Sequence, residues 1–276
     1  MKIVVCVKQV PDTAEVKIDP VTNNLVREGV PGIMNPYDEA AVMMALQLKE
    51  QTNGTISVLS MGPGQAGEEL KNAMRRGADA GYLLCDRKLG GADTLATGYA
   101  LAETIRQIGY DLVLCGNEAI DGCTGQVGPL IGEFLKVPAL TYITDIKVEQ
   151  EDLFCYRDTG KCVETYQVKG PAVVCISDKR LADKPYESRE NIPEIHMLDA
   201  AHLEEEKIGR QGSPTRVAAI SVKGKEQNYL KVDYRWDCET RIEYIMNGGL
   251  EKKKKNLNRE TKTSQARLIM DAIMKK

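Results

Sequence analysis

The chain has 276 residues, of which 37 are Lys or Arg and 40 are Asp or Glu, so its formal net charge is −3. With 42% hydrophobic and 28% charged residues it has the composition of an ordinary globular protein, which excludes an intrinsically disordered chain. The acidic balance disfavours a general nucleic-acid binder, and no apolar run approaches the roughly 18 residues of a membrane-spanning helix.

Short β-branched runs alternate with helical patterns along the first 180 residues, which predicts parallel strands joined by crossover helices. Two of these runs are continuously apolar, as expected for strands with helices on both sheet faces. We therefore expect an α/β fold with a doubly wound, mostly parallel nucleotide-binding sheet. The predicted strands are residues 2–10, 55–60, 81–85, 111–115 and 172–177, and the predicted helices are residues 38–51, 66–76, 92–108 and 125–135.

The first strand also resembles a signal peptide for four residues. Lys8 interrupts its apolar run and no small-residue cleavage site follows, so we expect a cytoplasmic protein that does not insert into a membrane. Two later runs, residues 143–148 and 161–168, flank the turn Asp158-Thr159-Gly160 and predict a β-hairpin.

After residue 177 the pattern becomes irregular, which is typical of a functional loop or a linker. Residues 251–276 carry nine Lys or Arg and three Asp or Glu. The lysine run 252–255 is either a basic binding patch or, as we favour, a solvated part of an extended arm. The apolar stripe of Leu268, Ile269, Ala272 and Ile273 predicts a terminal helix that docks on another surface.

Two glycine-rich segments follow predicted strands. Residues 62–67 fit G-x-G-x-x-G, which lines a nucleotide or forms only a tight turn, and Asp86 is a loose candidate for a ribose-binding acid. Residues 90–98 place Asp93, Thr94 and Thr97 at the start of a helix. Asp93 alone would form an ordinary helix cap, but the two hydroxyls exceed that need, so we favour a diphosphate site.

The most specific segment is residues 115–128, which follows an apolar strand directly and is dense in Gly, Asn, Asp, Thr and Gln. Loops at the carboxyl ends of parallel strands form the ligand crevice of open sheets, so this loop is predicted to wrap a polar ligand.

The sequence gives little support for a disulfide framework, a metal site or a catalytic side chain. The eight cysteines form no C-x-x-C pair and are predicted to be free, buried thiols, and with only His196 and His202 a metal site is not expected. There is no P-loop, nucleophile elbow or pair of catalytic carboxylates in a sequence motif, so we predict no catalytic side chain and expect a cofactor to carry any chemistry.

Several segments of the first 200 residues resemble the β subunit of electron-transfer flavoproteins. The resemblance rests on residues 3–10 with Pro11-Asp12, Met34-Asn35-Pro36-Tyr37-Asp38, Met61-Gly62-Pro63 and residues 116–128, and it is collinear over residues 1–200. It implies an adenine-nucleotide-hydrolase-like fold and a C-terminal arm that embraces an α subunit. We accordingly expect a nucleotide-binding domain at residues 1–200 and an arm at residues 201–276.

The resemblance also implies the cofactor-binding residues. With the helix-start residues added, they are Cys6, Asn35, Pro36, Tyr37, Asp38, Met61, Asp93, Thr94, Thr97, Gly116, Asn117, Glu118, Ala119, Ile120, Asp121, Gly122, Cys123, Thr124, Gly125, Gln126 and Val127. Tyr37 packs either near the ligand or beneath the loop.

Conventional members of this family hold AMP in the β subunit, whereas electron-bifurcating members hold a second FAD there. The bifurcating FAD takes a hydride from NADH, sends one electron to ferredoxin or flavodoxin and passes the other through the FAD of the α subunit to a flavin-dependent dehydrogenase. A second anion site suits a diphosphate, so we favour FAD over AMP. A nucleotide-binding sensor or hydrolase on a similar fold is the alternative from another class.

The resemblance further implies a partner-recognition loop at residues 178–197, in which Ile192 takes the place of the apolar anchor. This sequence departs from the family where the loop is followed by the acidic Glu204-Glu205-Glu206, and in residues 229–250, which read as an insertion.

Overall fold

The computed structural model describes residues 1–12, 32–150, 152–183, 185–215, 236–237 and 240–242. The chain divides into two compact units, Met1–Ile220 and Ser221–Lys276, and all the elements below belong to the first. The predictions for residues 229–235, 243–250 and 251–276 lie outside the described residues. None of the described helices has the length and apolar character needed to cross a membrane.

The elements alternate as the sequence predicts, with some additions. The strands are β1 (Lys2–Cys6), β2 (Gln9–Pro11), β3 (Gly32–Met34), β4 (Thr55–Met61), β5 (Ala80–Leu84), β6 (Leu112–Gly116), β7 (Ala139–Ile143), β8 (Asp145–Glu149), β9 (Asp152–Asp158), β10 (Val163–Val168), β11 (Ala172–Ile176) and β12 (His196–Leu198). The helices are α1 (Pro36–Thr52), α2 (Gly67–Arg76), α3 (Thr94–Ile108) and α4 (Val127–Leu135).

A seven-stranded parallel sheet in the order β12-β5-β4-β1-β6-β11-β7 forms the centre of the first unit. Strands β1, β6 and β11 are buried on both faces: alternate side chains of β1 enter one core cluster with α1 and α2 and another with α3 and α4. Burial on both sides explains why the strands are continuously apolar. The predicted doubly wound α/β fold is confirmed.

The order of the strands creates a switch point beside β1. From β1 the chain builds outward through β4 and β5, then returns to place β6 on the other side of β1. The connections after β1 and β6 therefore diverge, which leaves a crevice at the carboxyl ends of these two strands.

The predicted strand at residues 2–10 is in fact two strands. After Cys6 the chain leaves the central sheet, because the backbone amide of Lys8 donates to Asp38 Oδ2 at 2.8 Å instead of to a neighbouring strand. Residues of β2 then pair with β3 in a separate antiparallel sheet.

The predicted hairpin was wrong in its pairing. The turn at Asp158-Thr159-Gly160 joins β9 to β10, while β8 lies on the other side of β9. The sequence analysis missed β9 because its charged ends hide the alternation of Leu153 and Cys155, which are buried. It also missed β7 and β12, which lie at the two edges of the central sheet and are half exposed or only three residues long.

The predicted helices are displaced by no more than two residues at each end, and local sequence marks the starts of α1 and α3. Asn35 precedes α1 with Pro36 at the first helical position, where the missing amide of proline costs no hydrogen bond. Asp93 precedes α3 and accepts hydrogen bonds from the amides of Leu95 and Ala96. These caps place both helix starts at the edge of the crevice.

All seven described cysteines are free thiols. Burial was predicted correctly for Cys6, Cys115, Cys155 and Cys175, whereas Cys85 is half-buried. It was wrong for Cys123 and Cys162, which are exposed because they lie in polar loops and not in strands.

Candidate nucleotide-binding cleft

A cleft of about 940 Å³ lies at the carboxyl ends of β1, β4, β5 and β6. This volume is at the upper end of the range for small-molecule sites, roughly 300–1,000 Å³. Its walls include residues 6–9, 59–64, 89–94, 115–119 and 122–128, together with Asp38, Arg87, Thr97 and Thr215. We call Asp38 with residues 116–119 the switch-point end, and residues 87–94 with Thr97 and Thr215 the α3 end.

Most of the predicted cofactor-binding residues line this cleft. They are Cys6, Asp38, Met61, Asp93, Thr94, Thr97, Gly116, Asn117, Glu118, Ala119, Gly122, Cys123, Thr124, Gly125, Gln126 and Val127. Asn35, Pro36, Tyr37, Ile120 and Asp121 are not among the lining residues. Asn35 and Tyr37 bond to the loop after β6, Asp121 ties this loop to Lys8, and Ile120 is an exposed residue of the same loop.

Asn35 is fully buried behind the loop that follows β6. Its side-chain amide donates to the carbonyl of Glu118 at 2.9 Å, and its Oδ1 accepts from the amide of Ile120 at 3.2 Å. Asn35 therefore fixes the shape of the loop from the start of α1, and the loop presents Glu118 and Ala119 to the cleft.

Asp121 and Tyr37 hold the same loop from its outer side. Lys8 Nζ lies 2.7 Å from Asp121 Oδ1 and 2.8 Å from Oδ2, which ties the loop to the segment after β1. The Tyr37 hydroxyl donates to Glu118 Oε1 at 3.3 Å, and the Lys179 ammonium lies 4.4 Å from the centre of the Tyr37 ring. Tyr37 thus packs beneath the loop, which is the second of the two predicted arrangements.

Asp38 connects the two strands that flank the crevice. Its Oδ2 accepts from the amide of Lys8 at 2.8 Å and its Oδ1 accepts from the amide of Gly116 at 3.0 Å. Burial raises the pKa of Asp38 to about 7, against the opposing effect of hydrogen bonds from Asn35 and these amides. A single carboxyl therefore holds the ends of β1 and β6 together.

The close approach of α1 to β6 requires glycine at position 116. A Cβ on Gly116 would collide with Asp38 Oδ1 and lie 2.7 Å from Tyr37 Cβ. Without a side chain at this position, the amide of Gly116 reaches the Asp38 carboxylate directly.

At the α3 end, Asp93 uses its carboxylate within the protein. Oδ1 accepts from the amides of Leu95 and Ala96, and Oδ2 accepts from the amide and hydroxyl of Thr215 at 3.1 and 2.7 Å. Partial burial raises the pKa of Asp93, but the hydrogen bonds from Thr215 and the helix amides outweigh it and hold the pKa below its usual value. Asp93 is a helix cap that also fixes Thr215 at the cleft.

The start of α4 differs from the start of α3. No side chain caps α4, and Gln126 Oε1 instead accepts a hydrogen bond from Thr94 Oγ1 at 2.7 Å. The amides of Val127 and Gly128, the first of α4, therefore lack a side-chain acceptor, and both residues line the cleft together with Thr94 and Thr97 of α3. Amides and a helix dipole in this arrangement favour a phosphate.

Several lining residues escaped the sequence analysis. Arg87 lies in the short 3-10 turn after β5, and a basic residue directly after a predicted strand was the available signal. Thr215 had no such signal, because it reaches the cleft only through its bonds to Asp93, 122 residues away.

The sequence analysis did name the next residues as weaker candidates. Asp86 caps the turn by accepting hydrogen bonds from the amides of Lys88 and Ala200, while Gly62, Pro63 and Gly64 of the G-x-G segment line the wall.

In the predicted partner-recognition loop, Ile192 is half-buried and packs against the core cluster of α1 and α2. The more exposed apolar side chains of this segment are Tyr186, 45% exposed, and Met197, 61% exposed.

Comparison with known proteins agrees with this geometry. The family described as "Electron transfer flavoprotein domain" matches residues 22–203. The electron transfer flavoprotein subunit beta of Thermoanaerobacterium thermosaccharolyticum is 44% identical over 235 residues, which cover 82% of this chain and 90% of that protein. The subunit of the same name from Megasphaera elsdenii is 44% identical over 256 residues, covering 88% and 95%.

A third relative has a different name. The caffeyl-CoA reductase-Etf complex subunit CarD of Acetobacterium woodii is 44% identical over 227 residues, which cover 79% of this chain and 86% of that protein. The matches cover 86 to 95% of the length of these relatives. The chain therefore belongs to the electron transfer flavoprotein family, among its β subunits.

Proposed function

We propose that this chain holds FAD in the cleft as the β subunit of an electron-bifurcating electron transfer flavoprotein. NADH is the electron donor in this proposal. One electron goes to ferredoxin or flavodoxin, and the other goes through the FAD of the α subunit to a flavin-dependent dehydrogenase. The proposal rests on one observation above the others, the extent of the cleft.

The cleft continues from the switch-point end, past the ends of β4 and β5, to the α3 end. AMP, with one nucleoside and one phosphate, would leave much of this length unfilled. A ligand with a second group beyond a diphosphate makes contact with both ends. The volume of about 940 Å³ therefore supports a dinucleotide over a mononucleotide.

The groups that line the cleft fit such a ligand. The uncapped amides at the start of α4 and the hydroxyl of Thr97 would hold the diphosphate, and Thr94 would join them by turning its hydroxyl from Gln126 Oε1 to a phosphate oxygen. Met61 and Val127, which are partly exposed, would give apolar contact to flat rings, and Arg87 adds a positive charge at the α3 end. Asn35 and Asp121 contribute indirectly, because they hold the loop that forms the wall.

The chemistry belongs to the flavin, which supplies hydride acceptance and electron transfer when bound. The residues of the chain bind and orient it, and they exclude water through the apolar wall. No catalytic side chain is part of the proposal, which accords with the hydrogen bonds described above: Asp38 and Asp93 bind amides of the protein itself.

The proposed partners are the α subunit and a dehydrogenase that acts on acyl-CoA or a related substrate. The name of the CarD relative links that protein to a caffeyl-CoA reductase, which supports a CoA-thioester partner for this chain as well. We propose the segment 178–197 as the dehydrogenase contact, with Ile192 as its anchor. We also propose that residues 251–276 clasp the α subunit, so that truncation after Leu250 should release the β chain in sizing chromatography.

The decisive experiment is a count of nucleotides in the co-purified heterodimer. Two FAD per heterodimer, together with NADH-dependent reduction of ferredoxin that requires the dehydrogenase substrate, are expected. One FAD with one AMP would instead establish a conventional carrier and contradict the proposal.

The conventional carrier is the second candidate, and the switch-point end favours it. Asp38, Asn35 and the loop after β6 form a complete pocket wall without any contribution from the α3 end. Such a wall suffices for a mononucleotide held for structural reasons. Membership of this family favours either carrier over a nucleotide sensor or hydrolase.

A further inference from the structure

Asp38 is a buried titratable group that the proposed function does not use. It lies on the wall of the cleft and is only 7% exposed. The amides of Lys8 and Gly116 each occupy one of its oxygens, at 2.8 and 3.0 Å. A ligand in the cleft therefore meets a carboxyl whose acceptor sites are already largely filled.

The cation that acts on Asp38 bonds another carboxylate. The ammonium of Lys8, which follows β1, lies 2.7 Å from Asp121, and its charge lowers the pKa of Asp38 by less than burial raises it. From β6 and β11, Cys115 and Cys175 present thiols whose pKa values are raised well above the ordinary value, so these thiols are neutral. Among the described residues, no side chain forms an ion pair with Asp38.

The remaining neighbours are polar or acidic. Cys6 of β1 is the register partner of Cys115 and hydrogen-bonds to it. Glu118 of the loop after β6 is bonded to Tyr37, and Glu39, the next residue of α1, is paired with Arg76. Burial in this setting raises the pKa of Asp38 to about 7, which places it near the midpoint of its titration in neutral solution.

We propose that Asp38 takes up a proton when a nucleotide occupies the cleft, so that nucleotide binding by this chain is linked to proton uptake. The inference rests on the proposed function, in that the cleft must hold an adenine nucleotide. A nucleotide covers the remaining exposed part of Asp38 and brings negative phosphates into a cleft lined by three further carboxylates, Asp86, Asp93 and Glu118, against the two cations Lys8 and Arg87. Both effects oppose the ionised carboxylate. The proton comes from the solvent and adds to a carboxylate oxygen.

The direction of the pH dependence follows from linkage. Asp38 has the higher pKa in the complex and binds more protons there, so affinity rises as pH falls below the pKa of Asp38 in the complex and levels off below the pKa of free Asp38. If binding raises this pKa by one unit or more, affinity should be about five- to tenfold higher near pH 6 than near pH 8. Near pH 8, about half a proton should be taken up per nucleotide bound.

Calorimetric titration of the nucleotide-free heterodimer with FAD, in two buffers of different ionisation enthalpy, measures this uptake. Wild-type protein should take up a proton and Asp38→Asn should not. Glu39→Gln is the matched control: it changes the neighbouring carboxylate of the same helix, which does not line the cleft, and should behave as wild type. The difference between wild type and Asp38→Asn cancels any titration of the ligand, so AMP can serve as the probe if the complex binds AMP.

Equal proton uptake by wild type and Asp38→Asn would overturn the inference, as would its absence from wild type. If Asp38→Asn fails to fold, infrared difference spectra of the wild-type complex replace it, with carboxyl-labelled aspartate to identify the band. A protonated aspartic acid band that appears on FAD binding supports the inference, and no such band contradicts it. A heterodimer that binds neither FAD nor AMP at any pH overturns both the inference and the proposed function.

Discussion

The two ends of the cleft are built differently, although both begin at a helix start. At the switch-point end, buried side chains of α1 hold the wall: Asn35 bonds the loop after β6, and Asp38 bonds the amides after β1 and β6. At the α3 end, Asp93 caps its own helix and fixes Thr215, while Thr94 and Thr97 line the cleft.

This difference shows that a carboxylate or amide near a ligand site need not bind the ligand. The polar side chains at the cleft form hydrogen bonds or ion pairs with other groups of the protein, as shown by Asn35, Asp38, Asp93 and Asp121. Recognition is then left to backbone amides, hydroxyls and apolar walls. Substitutions at the switch-point end should therefore lower stability and weaken the binding of every nucleotide. Substitutions at the α3 end should weaken the binding only of a ligand that is long enough to reach it.

The largest effect is expected for Asn35→Ala. The change leaves the carbonyl of Glu118 and the amide of Ile120 without their partner, at about 1–3 kcal/mol for each buried group. Urea unfolding should show a loss of about 2–5 kcal/mol, and affinity for AMP and FAD should fall together. The control Gln51→Ala removes an exposed amide near the other end of α1, and should change the free energy of unfolding by no more than about 0.5 kcal/mol.

Gly116→Ala should have the next largest effect. The new methyl group meets the side chain of Asp38 and the Cβ of Tyr37, so the start of α1 must move away from β6. Overpacking of this kind costs about 1–3 kcal/mol. Gly122→Ala, at a position with open space around it, should leave the free energy of unfolding nearly unchanged. Equal stability of the two variants would show that the approach of α1 to β6 is not as close as described.

The double change Thr94→Val and Thr97→Val tests the α3 end. A hydrogen bond to a charged phosphate is worth about 1.5–3 kcal/mol, so FAD affinity should fall roughly 10- to 150-fold for each such bond lost. AMP affinity and stability should change little, because the switch-point end remains intact. Unchanged retention of FAD would contradict the assignment of a diphosphate to these hydroxyls.

The smallest effect on the cleft is expected from the partner-recognition segment. Ile192→Asp should slow electron delivery to the dehydrogenase while flavin content and NADH oxidation with an artificial acceptor are retained. Met197→Asp is the informative companion, since Met197 is 61% exposed and Ile192 packs on the core. If Ile192→Asp lowers stability or flavin content and Met197→Asp alone slows electron delivery, Ile192 is a core residue and Met197 is the contact.

Much of the fold was predictable because its signals are local. The apolar runs of β1, β6 and β11 and the helical periodicity of α1 to α4 are properties of consecutive residues, and so are their caps. The pairing of β8, β9 and β10 was not predictable in the same way: the turn at Gly160 was recognised, but the partner of the last strand was hidden by charged residues at the ends of β9.

The sequence by itself determined the parallel sheet, the polar loop after β6 that lines the cleft and the family resemblance, since each depends on residue order within one segment. Only the tertiary structure decided what the polar side chains do. The bonds of Asn35 to the loop after β6, of Asp38 to β1 and β6, and of Asp93 to Thr215 join residues 30 to 122 positions apart. Whether a polar side chain faces the cleft or bonds within the protein depends on which strand ends become neighbours in the fold. Its hydrogen-bond partner is the donor or acceptor that folding brings close, and spacing along the chain does not reveal it.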